Sequence, residues 1–130
     1  MIVDTSAVIA ILYMEPEGES FTELIQQTMD CRMSAASYLE TAIVLDASRD
    51  PIVSRRLDEI IRTAGILIEP VTEAQARIAR EAYRDFGKGS GHPAQLNFGD
   101  CFAYALARDT GQPLLFKGSD FSKTDLASAL

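Results

Sequence analysis

One histidine, two cysteines and no apolar run near the ~20 residues of a membrane-crossing helix narrow the chemistry open to this 130-residue chain. Cys31 and Cys101 lie far apart and outside any CxxC pattern. That excludes a zinc cluster of Cys and His ligands and a disulfide framework, and predicts reduced thiols packed as small core residues. The opening Met-Ile-Val-Asp lacks the basic and apolar regions of a signal peptide, so a cytoplasmic location is expected. Internal repeats, linkers and low-complexity segments are also missing. With 47% hydrophobic and 24% charged residues, the composition is that of a folded chain, and one domain over residues 1–130 is expected.

Positive charge is scarce too. The formal net charge is −7, which argues against a nucleic-acid partner, since such proteins usually carry a basic footprint. Its distribution softens that argument. Residues 1–48 hold eight acidic side chains against Arg32 alone, whereas residues 49–130 hold eleven of each sign. All the excess acid sits in the first third, as it would if a group of carboxylates there bound a cation.

What is present alternates between short apolar strands and helices. "MIVD" reads as a strand ending in Asp4, and "TSAVIAILYME" as a helix with Val8, Ile11 and Leu12 at helical spacing, broken by "EPEG". Phe21, Leu24, Ile25 and Thr28 predict one face of a second helix. "CRMS" is a strand whose Ser34 caps "AASYLETAIVLDAS". Asp50-Pro51 starts a helix carrying Ile52, Leu57, Ile60 and Ile61, stopped at Gly65. "ILIEPV" is a strand, Thr72 with Glu73 and Gln75 opens a helix to about Phe86 as a capping box, and "GKGSGHPAQLN" is a loop. A helix from Asp100, a Gly111-Gln112-Pro113 turn and the strand "LLF" complete the pattern. It predicts an α/β fold with a mostly parallel sheet covered on both faces.

Ligands of open parallel sheets bind beyond the carboxyl ends of the strands, and acids recur at that edge. Asp4 ends the first strand, Glu40 lies two turns into the helix after the second, Asp100 starts the helix before the last, and Asp120 follows the last, with Asp125 five residues on. Four carboxylates converging in a low dielectric must either take up protons or share a cation. Oxygen donors alone suit a hard ion such as Mg²⁺, and metal-assisted phosphodiester hydrolysis is the chemistry such a set matches. Each acid also has a plainer reading: Asp4 and Asp100 as helix caps, Asp120 as a turn residue, Glu40 on an exposed face.

The pieces "MIVDTSAVIAIL", "SAASYLETAIVL", "LNFGDCFAYALA" and "PLLFKGSDFSKTD", in this order over almost the whole chain, resemble a PIN domain of the VapC type, a toxin ribonuclease of bacterial toxin–antitoxin pairs. The resemblance implies a three-layer α/β/α sandwich and a divalent-metal-dependent endoribonuclease using Mg²⁺, with Mn²⁺ able to substitute. Asp4, Glu40 and Asp100 match the metal-site acids, Thr5 or Ser6 the hydroxyl beside the first acid, and Asn97 the loop approaching the site. The fourth acid departs from the commonest pattern of Thr-x-Asp after the last strand: Gly118 stands at the aspartate position. Asp120 is the replacement expected, and Asp125 its competitor. The resemblance also implies an RNA substrate, a homodimer and a cognate antitoxin whose tail covers the acidic groove. No membrane association is expected.

Other features point less far. His92 in a glycine-rich loop reads as solvated, and "GKGSG" lacks the spacing and preceding strand of a phosphate loop. Lys88, Arg84 and Lys117 are candidates for RNA phosphates but read singly as solvated charge. Tyr38, Tyr104, Phe98 and Phe102 suit core or dimer packing better than base stacking. A receiver-type signalling domain needs paired acids after strand one, where Asp4 stands alone. A dehalogenase-like phosphatase needs Asp-x-Asp there, and Ser6 takes the second place. A non-catalytic binding module of the same fold stays open.

Overall fold

The computed structural model describes residues 1–130. Its elements are β1 (Ile2–Val3), α1 (Thr5–Leu12), α2 (Gly18–Gln27), β2 (Arg32–Ser34), α3 (Ala35–Ala47), α4 (Pro51–Thr63), β3 (Leu67–Glu69), α5 (Glu73–Phe86), α6 (Asp100–Thr110) and β4 (Leu114–Leu115), with a 3-10 turn at Phe121–Lys123. The four strands form one parallel sheet in the order β3-β2-β1-β4.

Successive strand residues point to opposite faces, and the two cores follow from that. Val3, Met33 and Leu115 face α1 to α4, meeting Val8, Phe21, Ile25, Leu45 and Leu57. Ile2 and Leu114 face α5 and α6, meeting Ala79, Ala82, Ala103 and Leu106. The result is the expected α/β/α sandwich. Because every connection is a crossover, the ends of β1, β2 and β4 all open on one edge, where Asp4, α3 and residues 116–120 begin.

Caps set the helix starts. Asp4, Ser34, Asp50 and Thr72 each accept a backbone N–H from the following turn. Thr72 makes half of the expected capping box, accepting from the Gln75 N–H at 3.1 Å. The Gln75 side chain instead reaches α6, its Nε2 donating to Asp109 at 3.2 Å. Gly111 closes α6 in the left-handed region, φ 66°, which a residue with a Cβ adopts only at a cost.

Two packing expectations are corrected. Ile52 is 67% exposed; the buried stripe of α4 runs Val53, Leu57, Ile60, Ile61, Ala64, and Ile52 lies about 100° round the helix from its start. The sheet is also not covered throughout. β3 is its outer strand, narrower than "ILIEPV" suggests, and leaves Leu67 and Ile68 exposed. The opposite edge is closed by the chain's last residues, where Leu114 N–H donates to Ala127 O and Ala129 N–H to Leu114 O, both at 2.9 Å.

Candidate metal and active site

Asp4 leaves the sheet between its two neighbouring strands, its N–H donating to Leu115 O at 2.9 Å. The carboxylate turns back over α1. Its Oδ2 accepts from the Ser6 N–H at 2.9 Å and the Ser6 hydroxyl at 2.6 Å. That hydroxyl oxygen accepts in turn from the Lys117 N–H at 2.9 Å. Ser6 therefore ties Asp4 to the chain leaving β4. Asp4 does cap its helix, as its plainer reading holds, yet only 4% of it is exposed. Burial raises its pKa, the Ser6 bonds oppose that rise, and the negative charge of Glu40 adds to it.

Glu40 reaches the same edge from the second turn of α3. Its Oε2 lies 3.1 Å from the Thr5 hydroxyl, which is also 3.1 Å from Ser37 O and 3.2 Å from the Thr41 hydroxyl. Thr5 thus links the helix after β1 to the helix after β2. Partial burial raises the Glu40 pKa, the Thr5 hydrogen bond lowers it, and the charge of Asp100 raises it again.

Asp100 opens α6 in a reciprocal arrangement with Asn97. The Asn97 N–H donates to Asp100 Oδ2 and the Asp100 N–H donates to Asn97 Oδ1, both at 2.8 Å. The Asn-x-x-Asp spacing carried that signal, a capping box with its side chains varied. The Asp100 pKa is raised to about 6, first by burial; the Asn97 bond lowers it, Asp4 and Asp120 raise it, and Lys88 lowers it. Asp120 is exposed, at the start of the 3-10 turn.

Glu40 thus acts on Asp4, Asp100 on Glu40, and Asp4 and Asp120 on Asp100, and no salt bridge engages any of the four. No three acidic, His or Cys side chains stand close enough to enclose an ion with protein atoms alone. An ion that retains several waters needs only one or two direct carboxylates. Hard oxygen donors without sulfur or imidazole fit an ion such as Mg²⁺ or Mn²⁺ better than zinc.

Asp125 lies elsewhere. It accepts from the Tyr104 hydroxyl at 2.6 Å and pairs with Arg108 at 3.0 Å, further along α6. Lys117 is held by Glu15 at 2.6 Å and Glu17 at 3.2 Å, so it is not a free cation. Arg84 pairs with Asp85 at 2.8 Å. His92 is not simply solvated: its Nδ1 accepts from the Ala94 N–H at 3.1 Å and its ring meets Phe86 edge-on, 4.9 Å between centroids. Tyr38 donates to Asp58 at 2.5 Å. Phe98, expected in core or dimer packing, is 76% exposed and packs edge-on against Phe102. Beside it the exposed side chains of Leu39, Ile43 and Val44 continue an apolar face on α3, which helical spacing alone assigned to neither side.

The chain compares closely with known proteins. The PIN domain family model matches residues 1–126. Ribonuclease VapC28 of Mycobacterium tuberculosis is 58% identical over 130 residues, covering 100% of this chain and 98% of that protein. Ribonuclease VapC42 of the same species is 46% identical over 129 residues, covering 99% and 98%. Among solved structures, M. tuberculosis VapC20, described as a sarcin-ricin loop cleaving toxin, superposes with a TM-score of 0.78 at 18% identity, covering 98% of this chain and 97% of that one. A toxin–antitoxin complex from Klebsiella pneumoniae gives 0.71 at 15% identity, covering 93% and 89%. Fold, element order and whole-length identity agree: the chain belongs to the PIN-domain family, among the VapC ribonucleases.

Proposed function

We propose that this protein is a divalent-metal-dependent endoribonuclease, the toxin of a VapBC-type toxin–antitoxin pair, cutting RNA at the carboxylate edge. The observation that carries the reading is that Asp4, Glu40 and Asp100 stand at one edge of the sheet, each fixed by hydrogen bonds and none in a salt bridge, with Asp120 exposed after the last strand. Whole-length relatives that are ribonucleases by name support the substrate class.

In this reading the four acids hold Mg²⁺, or Mn²⁺ in its place. A bound divalent ion supplies charge to a phosphoryl oxygen and acidifies water. The protein supplies orientation. Ser6 fixes Asp4 through Oδ2, Thr5 fixes Glu40, and Asn97 fixes Asp100. Asp120, exposed at the rim, is the fourth acid in preference to Asp125, which Tyr104 and Arg108 occupy.

The partners are an RNA, a cognate antitoxin and a second copy of the chain. A solved neighbour in an antitoxin complex supports the second. The apolar face of Leu39, Ile43, Val44 and Phe98 supports the third. An acidic groove that attracts Mg²⁺ also attracts an arginine, which gives an antitoxin tail a means of inhibition. In this reading one domain spans the whole chain and acts in the cytoplasm; no helix is long and apolar enough to cross a membrane.

The test is digestion of a mixed RNA pool by the antitoxin-free protein, with Mg²⁺ or Mn²⁺ and with EDTA. Fragments that require the ion and vanish with Asp100→Asn establish the nuclease. Identical patterns from wild type and variant would favour the non-catalytic module.

A further inference from the structure

Gly99 precedes Asp100 at φ −63°, ψ −42°, right-handed helical angles that every residue adopts. Glycine is costly there, since it loses more chain entropy than alanine. Backbone conformation therefore does not call for it. Space does. A methyl group built on Gly99 would lie 2.5 Å from Glu40 Oε2 and 2.6 Å from Glu40 Cδ, and its three nearest neighbours all belong to that one carboxylate. Elsewhere the pattern differs. Gly18 is crowded by the backbone of Ala10 and Ile11, Gly87 by the carbonyl and ring of Tyr83, and Gly65, Gly89, Gly91, Gly111 and Gly118 have positive φ.

We infer that Gly99 is a positioning residue: its missing side chain is the slot that holds the Glu40 carboxylate against the start of α6, beside Asp100. Thr5 bounds the carboxylate on one side at 3.1 Å and Gly99 on the other. Glu40 has three rotatable bonds and is partly exposed, so a methyl at position 99 displaces the carboxylate and leaves the helices where they are. The inference rests on Glu40 being a member of the cation site.

It predicts a separation between stability and ion binding. Metal-free Gly99→Ala should melt at or above the wild-type temperature, because alanine is favoured at helical angles. Its affinity for Mn²⁺, titrated calorimetrically, should fall about 10–100-fold, the range for losing a group that orients a ligand. In a Glu40→Ala background, where the slot is empty, Gly99→Ala should change the Mn²⁺ affinity no further. That non-additivity is what a merely structural role does not produce. Wild-type affinity in Gly99→Ala, an equal loss in both backgrounds, or a clear drop in metal-free melting temperature each overturns the inference. If instead Glu40→Ala binds Mn²⁺ as wild type does, the assignment of Glu40 to the site fails first.

Discussion

Asn97 and Asp100 hold each other by two backbone-to-side-chain hydrogen bonds of 2.8 Å, one in each direction. One residue thereby closes the loop before α6 and aims the acid that stands at its first turn. Asn97→Ala leaves the Asp100 N–H without its acceptor. The expected cost is about 1 kcal/mol, as for other lost caps, read from urea unfolding without metal. Unchanged stability would mean that the pair does not organise the helix start.

The acids make the metal-free protein sensitive to pH. Asp100 keeps its proton up to about 6 when folded, against an ordinary 3.8. Between those values the folded chain binds more protons than the unfolded one, so this group's contribution falls as pH rises through the window. Asp4 and Glu40 are displaced the same way. In EDTA, Asp100→Asn should therefore gain in melting temperature relative to wild type as pH is raised from about 4 to about 7. A gap that stays constant with pH would refute the raised pKa.

Cleavage distinguishes the two candidates for the fourth acid, Asp120 and Asp125. Asp120→Asn should lower the RNA cleavage rate by about a hundredfold or more, beyond the range for groups that only orient a ligand. Asp125→Asn keeps an oxygen that accepts from the Tyr104 hydroxyl but removes the charge of that hydrogen bond and of an exposed pair with Arg108, a loss of about 1 kcal/mol of stability or less. It should keep near-normal cleavage. The reverse pattern would assign the fourth position to Asp125.

The apolar face on α3 predicts self-association. Sedimentation equilibrium should find a dimer for wild type and a folded monomer for Ile43→Lys, whose parent side chain is 60% exposed. A monomeric wild type would remove the homodimer from the account.

Much of this arrangement was legible in the sequence because it is local. The caps at Asp4, Ser34, Asp50 and Thr72 follow from short polar side chains before apolar periods, and strand–helix alternation implied the parallel sheet that gathers the acids. Other features depend on which elements meet. Ile52 and Val53 are equally apolar, and only the docking of α4 selects Val53. β3 falls at the sheet's edge by topology, which no property of "ILIEPV" reveals. Lys117 is neutralised by acids a hundred positions away in sequence. Gly99 is meaningful only once Glu40, on another helix, lies over it.

Whether the acids act as one cation site is decided by calorimetric titration of Mn²⁺ into wild type, Asp4→Asn, Glu40→Gln, Asp100→Asn and Asp120→Asn at neutral pH. Weaker binding in each of the four variants, with Asp125→Asn unaffected, is the predicted result. Wild-type affinity in Asp100→Asn would contradict it.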